Sequence, residues 1–218
     1  MEKPRRLPRG LYAITPGLIA TEVLLDAVEA AIRGGAAWIQ YRNKTAAFED
    51  RKRQAQALCQ LCHRCRVPLI VNDDPRLAWD IGADGVHLGQ DDPHYEEARA
   101  LLGPEAILGV SCYTSLDRAV SAQRIGADYV AFGRFFPSKT KPRAKQAPLA
   151  LLHEARRQLS IPIVAIGGIT PENGGALIEA GADRVAVIEG IFGQSDPEAA
   201  ARRYAELFRT PPIPGAKL

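Results

Sequence analysis

Two hydrophobic patterns alternate along the chain. Short apolar runs predict eight strands, at Leu11–Thr15, Trp38–Arg42, Leu69–Asn72, Gly85–Gly89, Ile107–Ser111, Tyr129–Gly133, Ile163–Gly167 and Arg184–Glu189. Between them, apolar residues recur at helical spacing over Thr21–Arg33, Phe48–Cys65, Arg76–Ile81, Tyr95–Leu102, Leu116–Ile125, Leu149–Gln158 and Pro171–Ala180, with a last stretch at Pro197–Phe208. Several strands are apolar almost throughout (LIV, IVAI, VAVI), as expected when both faces of a sheet are covered. Eight strand–helix units in one chain of this length fit an α/β fold of the (β/α)8 TIM-barrel type better than an open, doubly wound sheet. A weak repeat agrees: Gly35-Ala36-Ala37, Gly82-Ala83-Asp84, Gly126-Ala127-Asp128 and Gly181-Ala182-Asp183 each lie between a helix and every second strand.

At 218 residues the chain suits one domain spanning 1–218, with frayed ends expected at 1–10 and in the proline-rich tail 210–218. Apolar and charged fractions of 46% and 24% are those of an ordinary globule, and a net charge of +3 argues for no nucleic-acid partner. No apolar run has the length of a signal peptide or a membrane span, so the expected compartment is the cytoplasm and no membrane partner is expected. A homo-oligomer is compatible with the sequence. Four cysteines make no disulfide framework. Cys59, Cys62 and Cys65 resemble part of an iron–sulfur ligand set, but they fan over one side of a helical stretch with no fourth cysteine following. They read as structural.

Chemistry concentrates where strands end. The stretch from Leu69 to Asp92 forms a strand–helix–strand unit whose two parallel strands run into Asp73-Asp74 and Asp91-Asp92. Four acids at one strand-end face repel one another unless a cation sits among them, and hard oxygen donors suit Mg2+ completed by phosphate and water. The preceding strand brings Gln40, Arg42 and Lys44 to the same face, and the fifth presents Ser111. After the sixth comes a long loop carrying Ser138, Thr140 and several cations, among them Lys141. Gly167-Gly168 and the segment Ile188-Glu189-Gly190 follow strands seven and eight, the usual place for a phosphate cradle in this fold. A metal-bound diphosphate and a second phosphate in one mouth suggest a two-substrate transferase with diphosphate as leaving group. Mg2+ with Arg42, Lys44 and Lys141 would stabilise its departure.

The motifs QYRNK, VNDD, HLGQDD, GVSCYT, FPSKTKP and IGGIT, in this order, resemble those of the thiamine-phosphate synthase family over nearly the whole chain. The resemblance implies a (β/α)8 barrel that joins 4-amino-5-hydroxymethyl-2-methylpyrimidine diphosphate to a thiazole phosphate, or its carboxylated form, by a dissociative mechanism. It further implies Mg2+ at Asp73 and Asp92. Gln40, Arg42, Lys44, Asn72, Ser111 and Lys141 would then hold the pyrimidine diphosphate. Ser138, Thr140, Gly168 and the backbone around Ile188 would hold the thiazole phosphate. Ala186 and Glu189 depart from the family, where serine is common. Glu189 is expected to turn from the phosphate toward Lys139 or Arg143.

Two rivals share the barrel. One is an isomerase like the thiazole tautomerases, for which the aspartates and Arg42/Lys44 would have no purpose; the other is a non-catalytic phosphate-binding barrel. His87 is equally a packed barrel residue or a substrate contact. His63, His94 and His153 are expected at the surface.

Overall fold

Strands that are apolar on both faces need cover on both, and a closed barrel inside a ring of helices supplies it. The computed structural model describes residues 7–17, 19–89, 95–137 and 145–209. Its strands are β1 (Gly10–Ile14), β2 (Ala36–Tyr41), β3 (Leu69–Asn72), β4 (Gly85–Leu88), β5 (Ile107–Tyr113), β6 (Tyr129–Gly133), β7 (Ile163–Ile166) and β8 (Arg184–Val187). They pair in parallel and in chain order, and β8 closes on β1. The helices are α1 (Thr21–Arg33), α2 (Phe48–Arg64), α3 (Pro75–Ile81), α4 (Tyr95–Leu102), α5 (Leu116–Arg124), α6 (Ala150–Gln158), α7 (Pro171–Glu179), α8 (Glu189–Phe192) and α9 (Pro197–Glu206). Among the described residues no helix is long and apolar enough to cross a membrane.

Alternation along each strand divides the core in two. Outward residues such as Leu11, Ile39, Val71, Val130 and Val185 pack under the helices. Inward residues Tyr12, Ile14, Trp38, Ile70, Ile107, Tyr129, Ala131, Val164 and Ala186 fill the barrel. Three of these are aromatic and meet edge to face, with Trp38 5.7 Å from both Tyr12 and Tyr129. The Tyr129 ring fits because β5 carries Gly109 beside it, where a Cβ would lie 2.0 Å from the ring.

The repeat at the helix–strand junctions has a physical task. Asp84, Asp128 and Asp183 accept from the backbone N–H of Leu69, Leu108 and Ile163, at 2.9, 2.8 and 2.9 Å, and so tie the starts of β3, β5 and β7. A basic partner holds each carboxylate from outside: His63, Arg99 and Arg156. These staples sit at the N-terminal face of the barrel, the end that stabilises rather than reacts.

Arg184 is the misfit. It is wholly buried inside the barrel with its guanidinium 4.3 Å from the Trp38 ring centroid, and its side-chain nitrogens have no hydrogen-bond partner among the described residues. Burial lowers its pKa to about 10, which still leaves it charged at neutral pH.

Strand ends differ from expectation at two sites of interest. β2 starts at Ala36 and stops at Tyr41, so Arg42 lies just beyond the strand. β8 stops at Val187, and Glu189 opens the short α8 instead of ending a strand. At the N-terminus, Leu7 already packs against the inner core and Gly10 begins β1; residues 1–6 and 210–218 lie outside the described residues.

Candidate active site

A cavity of about 550 Å³ opens at the C-terminal ends of the strands. That is a volume typical of small-molecule sites. Its floor is the inner barrel, with Tyr12, Ile14, Ala131, Val164, Ile166 and Ala186. Polar side chains rise from the strand ends around it.

On the β2–β5 side, the cavity is lined by Gln40, Arg42, Asn72, His87 and Ser111. Thr15 orients the turn after β2, its Oγ1 accepting from the Arg42 N–H at 2.9 Å. Asp73 follows Asn72 at φ 65°, a left-handed conformation that aspartate tolerates better than most side chains and that often marks a functional position. Its Oδ2 lies 2.6 Å from Lys44 Nζ, so the two charges expected to handle metal and diphosphate meet each other here.

Asp74 has a different job. Its Oδ1 accepts from the Leu77 N–H at 2.9 Å, which caps α3, and its Oδ2 pairs with Arg51 at 3.2 Å. The expected group of four acids therefore loses one member to helix capping. Asp91 and Asp92 lie outside the described residues, as do Ser138, Lys139, Thr140, Lys141 and Arg143. Among the described residues no group of three or more metal-type ligands occurs. Among the described residues Asp73 offers a carboxylate donor beside Asn72 on this side of the cavity, and Mg2+ sites on proteins commonly need only one or two such carboxylates.

On the opposite side stand Gly167, Gly168, Ile169, Thr170, Ile188 and Glu189. Gly167 and Gly168 have φ of 102° and 64°, and the chain after β6 passes directly over them. A Cβ on Gly168 would fall 2.2 Å from the Pro137 carbonyl oxygen, so only glycine allows this approach. The turn is held by Asn173, which accepts from the Thr170 N–H at 2.8 Å and donates to the Gly168 carbonyl at 3.2 Å. From α9, the Tyr204 hydroxyl donates to the Ile169 carbonyl at 3.0 Å. That hydroxyl also occupies the space a Cβ on Gly190 would need, so one buried phenol braces the loops after both β7 and β8.

Glu189 is exposed and turns back toward the end of its own short helix, where a Cβ on Gly193 would come within 2.9 Å of Oε2. Among the described residues it makes no ion pair, and the cations expected to meet it are not among them.

His87 faces the barrel interior. Its ring stacks on Tyr129, with Nδ1 3.0 Å from the Tyr129 hydroxyl and Nε2 2.9 Å from Ser111 Oγ. It is at once a packed residue and a wall of the cavity. His63 is exposed and pairs with Asp84 on the far face. No sequence pattern marks Tyr12, which lines the cavity, or Tyr129, which backs His87, as a site residue. Their one signal in the sequence is an aromatic side chain on a strand, since which strand positions face inward is decided only by closure of the barrel.

Burial pushes both phenols well above the ordinary tyrosine value, which keeps them protonated. Two cysteines of the run are equally inert: burial raises the Cys59 thiol to about 11 and holds Cys62 higher still.

Comparison with known proteins follows the same lines. The sequence profile of the thiamine monophosphate synthase family matches residues 11–191. The thiamine-phosphate synthase of Nitrosococcus oceani is 53% identical over 96% of this chain and 97% of its own length. That of Thioalkalivibrio sulfidiphilus is 55% identical over 92% of this chain and 95% of its own. Among solved structures, the thiamine phosphate pyrophosphorylase of Pyrococcus furiosus superposes with a TM-score of 0.83 at 32% identity, covering 94% of this chain and 97% of that one.

Proposed function

The chain belongs to the thiamine monophosphate synthase family, and from that premise we propose how its cavity makes thiamine phosphate. It is a transferase. The substrates are an aminopyrimidine carrying a diphosphate and a thiazole carrying a monophosphate, and the released product is diphosphate.

The supporting observation is that one cavity has two chemically different sides. Gln40, Arg42, Asn72 and Ser111 line one, with Lys44 and Asp73 beside them; a backbone-rich wall at Gly168 and Ile188 forms the other. On this reading the first side takes the pyrimidine diphosphate and the second the thiazole phosphate. Side-chain cations and hydroxyls suit a highly charged diphosphate. Main-chain donors suit a single phosphate and do not depend on side-chain identity.

Asp73 and Asp92 would hold Mg2+, whose chemistry there is to neutralise diphosphate oxygens as charge develops. The chain's own part is electrostatic. Arg42, Lys44 and Lys141 stabilise the departing diphosphate while the bond from the pyrimidine methylene carbon to the diphosphate oxygen breaks. The resulting methylene cation is spread into the aminopyrimidine ring, and the thiazole nitrogen then forms the new carbon–nitrogen bond. No strong base is needed, since a thiazole nitrogen lone pair carries no proton. The apolar floor at Ile14, Ala131, Val164 and Ile166 keeps water from capturing the cation first.

The test is an assay of the purified protein with both phosphorylated substrates, with and without Mg2+. Equimolar thiamine phosphate and diphosphate, formed only with metal, are the expected products. Product formed equally well after chelation would remove the metal from the scheme.

A further inference from the structure

Four hydrogen bonds run in series beneath the cavity. Gln40 Nε2 donates to the Tyr12 hydroxyl at 2.8 Å. The Tyr12 and Tyr129 hydroxyls lie 3.0 Å apart, Tyr129 meets His87 Nδ1 at 3.0 Å, and His87 Nε2 meets Ser111 Oγ at 2.9 Å. The series crosses the barrel from β2 through β1, β6 and β4 to β5. Both ends, Gln40 and Ser111, line the cavity. The two phenols are 1% and 0% exposed.

We propose that these five residues form one relay of fixed sense, in which Tyr12, Tyr129 and His87 are positioning residues that make Gln40 an acceptor and Ser111 a donor toward the pyrimidine diphosphate. This deepens the proposed function and rests on that reading for its ligand.

The sense follows from counting protons. Each phenol has one proton to share between two neighbours, so the direction can be chosen only once. With an amide N–H of Gln40 donated to Tyr12, the Tyr12 proton passes to Tyr129 and the Tyr129 proton to His87 Nδ1. His87 must then carry its single proton on Nε2 and donate it to Ser111 Oγ. The Ser111 proton is left to point into the cavity. At the other end, Gln40 Oε1 is left to accept.

The two ends match the two poles of one ligand. A diphosphate oxygen needs a donor, which Ser111 supplies, and the exocyclic amine of an aminopyrimidine needs an acceptor, which Gln40 supplies. The opposite sense would present the Ser111 lone pairs to the anion and the Gln40 amide protons to the amine. Both contacts would be repulsive. Because the phenols are buried and keep their protons, neither can break the series by ionising.

The experiment reads the imidazole directly, with no substrate present. In protein labelled with ring-15N histidine, the His87 signal is identified by its loss in His87→Gln, and its two-bond proton couplings report the tautomer. The expected form is neutral, with the proton on Nε2. Tyr129→Phe should let the Nδ1–H form appear. It should also lower kcat/KM for the pyrimidine diphosphate about tenfold, while the KM for thiazole phosphate changes by less than about twofold. Tyr12→Phe, a smaller disturbance, should give the same changes to a lesser degree should the first variant fold poorly. An Nδ1–H tautomer or an imidazolium in the parent protein overturns the proposal, as does an unchanged tautomer and kcat/KM in both phenylalanine variants. Protein that has the expected tautomer but forms no thiamine phosphate would refute the substrate assignment and leave the relay standing.

Discussion

Asp73 Oδ2 and Lys44 Nζ lie 2.6 Å apart, so a divalent cation arriving at Asp73 competes with an ammonium. Two results follow from this one contact. Lys44→Ala should tighten Mg2+ binding in the absence of diphosphate, because the competing charge is gone, yet slow turnover, because the leaving group loses a cation. Asp73→Asn should do the reverse to the metal and lower turnover by about a hundredfold or more, the scale of losing a preorganised electrostatic contact. Metal titration of both variants, alongside turnover at saturating substrate, checks the pair; Mg2+ affinity unmoved in both would take Asp73 out of the metal site. Arg184 makes an opposite kind of prediction. A buried guanidinium with no hydrogen-bond acceptor among the described residues destabilises the folded state, so Arg184→Met should raise stability, by roughly 1–4 kcal/mol, the scale of replacing buried charged groups by apolar ones. Its folded pKa of about 10 lies below that of an exposed arginine, so between the two values the unfolded chain binds more protons. Stability therefore rises with pH there, and the advantage of the methionine variant should shrink as pH climbs through 10. Urea unfolding of both proteins at neutral and alkaline pH measures it.

Secondary elements carry the site by being held at both ends. At the N-terminal face, Asp128 satisfies the Leu108 N–H at the start of β5 and pairs with Arg99 of α4. Asp128→Ala leaves that amide without its acceptor and removes the carboxylate partner of Arg99, at a cost of about 1.5–3 kcal/mol for a hydrogen bond to a charged group. The Arg99 guanidinium keeps its bonds to Tyr95 and to the Gly103 and Ala106 carbonyls. Because this staple is at the opposite end from the cavity, kcat should stay near the parent value where the variant is folded. Denaturant titration and an assay on the same sample separate the two effects. At the C-terminal face the brace is glycine. Gly168→Ala forces a Cβ against the Pro137 carbonyl at a φ of 64°, so the loops after β6 and β7 must separate. Affinity for thiazole phosphate should fall while that for the pyrimidine diphosphate holds; equal losses for both ligands would show that the two sides of the cavity do not act separately.

At the scale of the whole molecule, the thiols report whether the barrel is closed. Burial raises Cys59 to about 11 and Cys112 to about 12, and holds Cys62 higher, so at pH 8 all three are neutral and covered. Cys65 is half-buried at the end of α2. Alkylation at pH 8 should label Cys65 first and the other three only after unfolding. Elemental analysis should find no stoichiometric iron or zinc on this run.

The chain by itself determined the order and kind of its elements, since those rest on periodicities that any short window contains. It likewise determined which residues stand at strand ends, because parallel strands all present their C-termini to one face. Gln40, Arg42, Ser111, Gly168 and Ile188 were legible as neighbours around a mouth for that reason, and Asn72 through the family resemblance. What a local pattern cannot contain is the choice of partner. Asp73 and Asp74 are adjacent and chemically alike, yet one faces Lys44 and the other caps α3, a difference set by where the backbone turns left-handed. His87 could have faced either layer until closure assigned the inward positions. Tyr12 and Tyr129 are 117 residues apart, and only the stagger of a closed barrel brings their hydroxyls within hydrogen-bonding reach. The relay and the buried Arg184 therefore belong to the tertiary structure, because their energies depend on contacts between inward side chains of strands that do not adjoin in sequence.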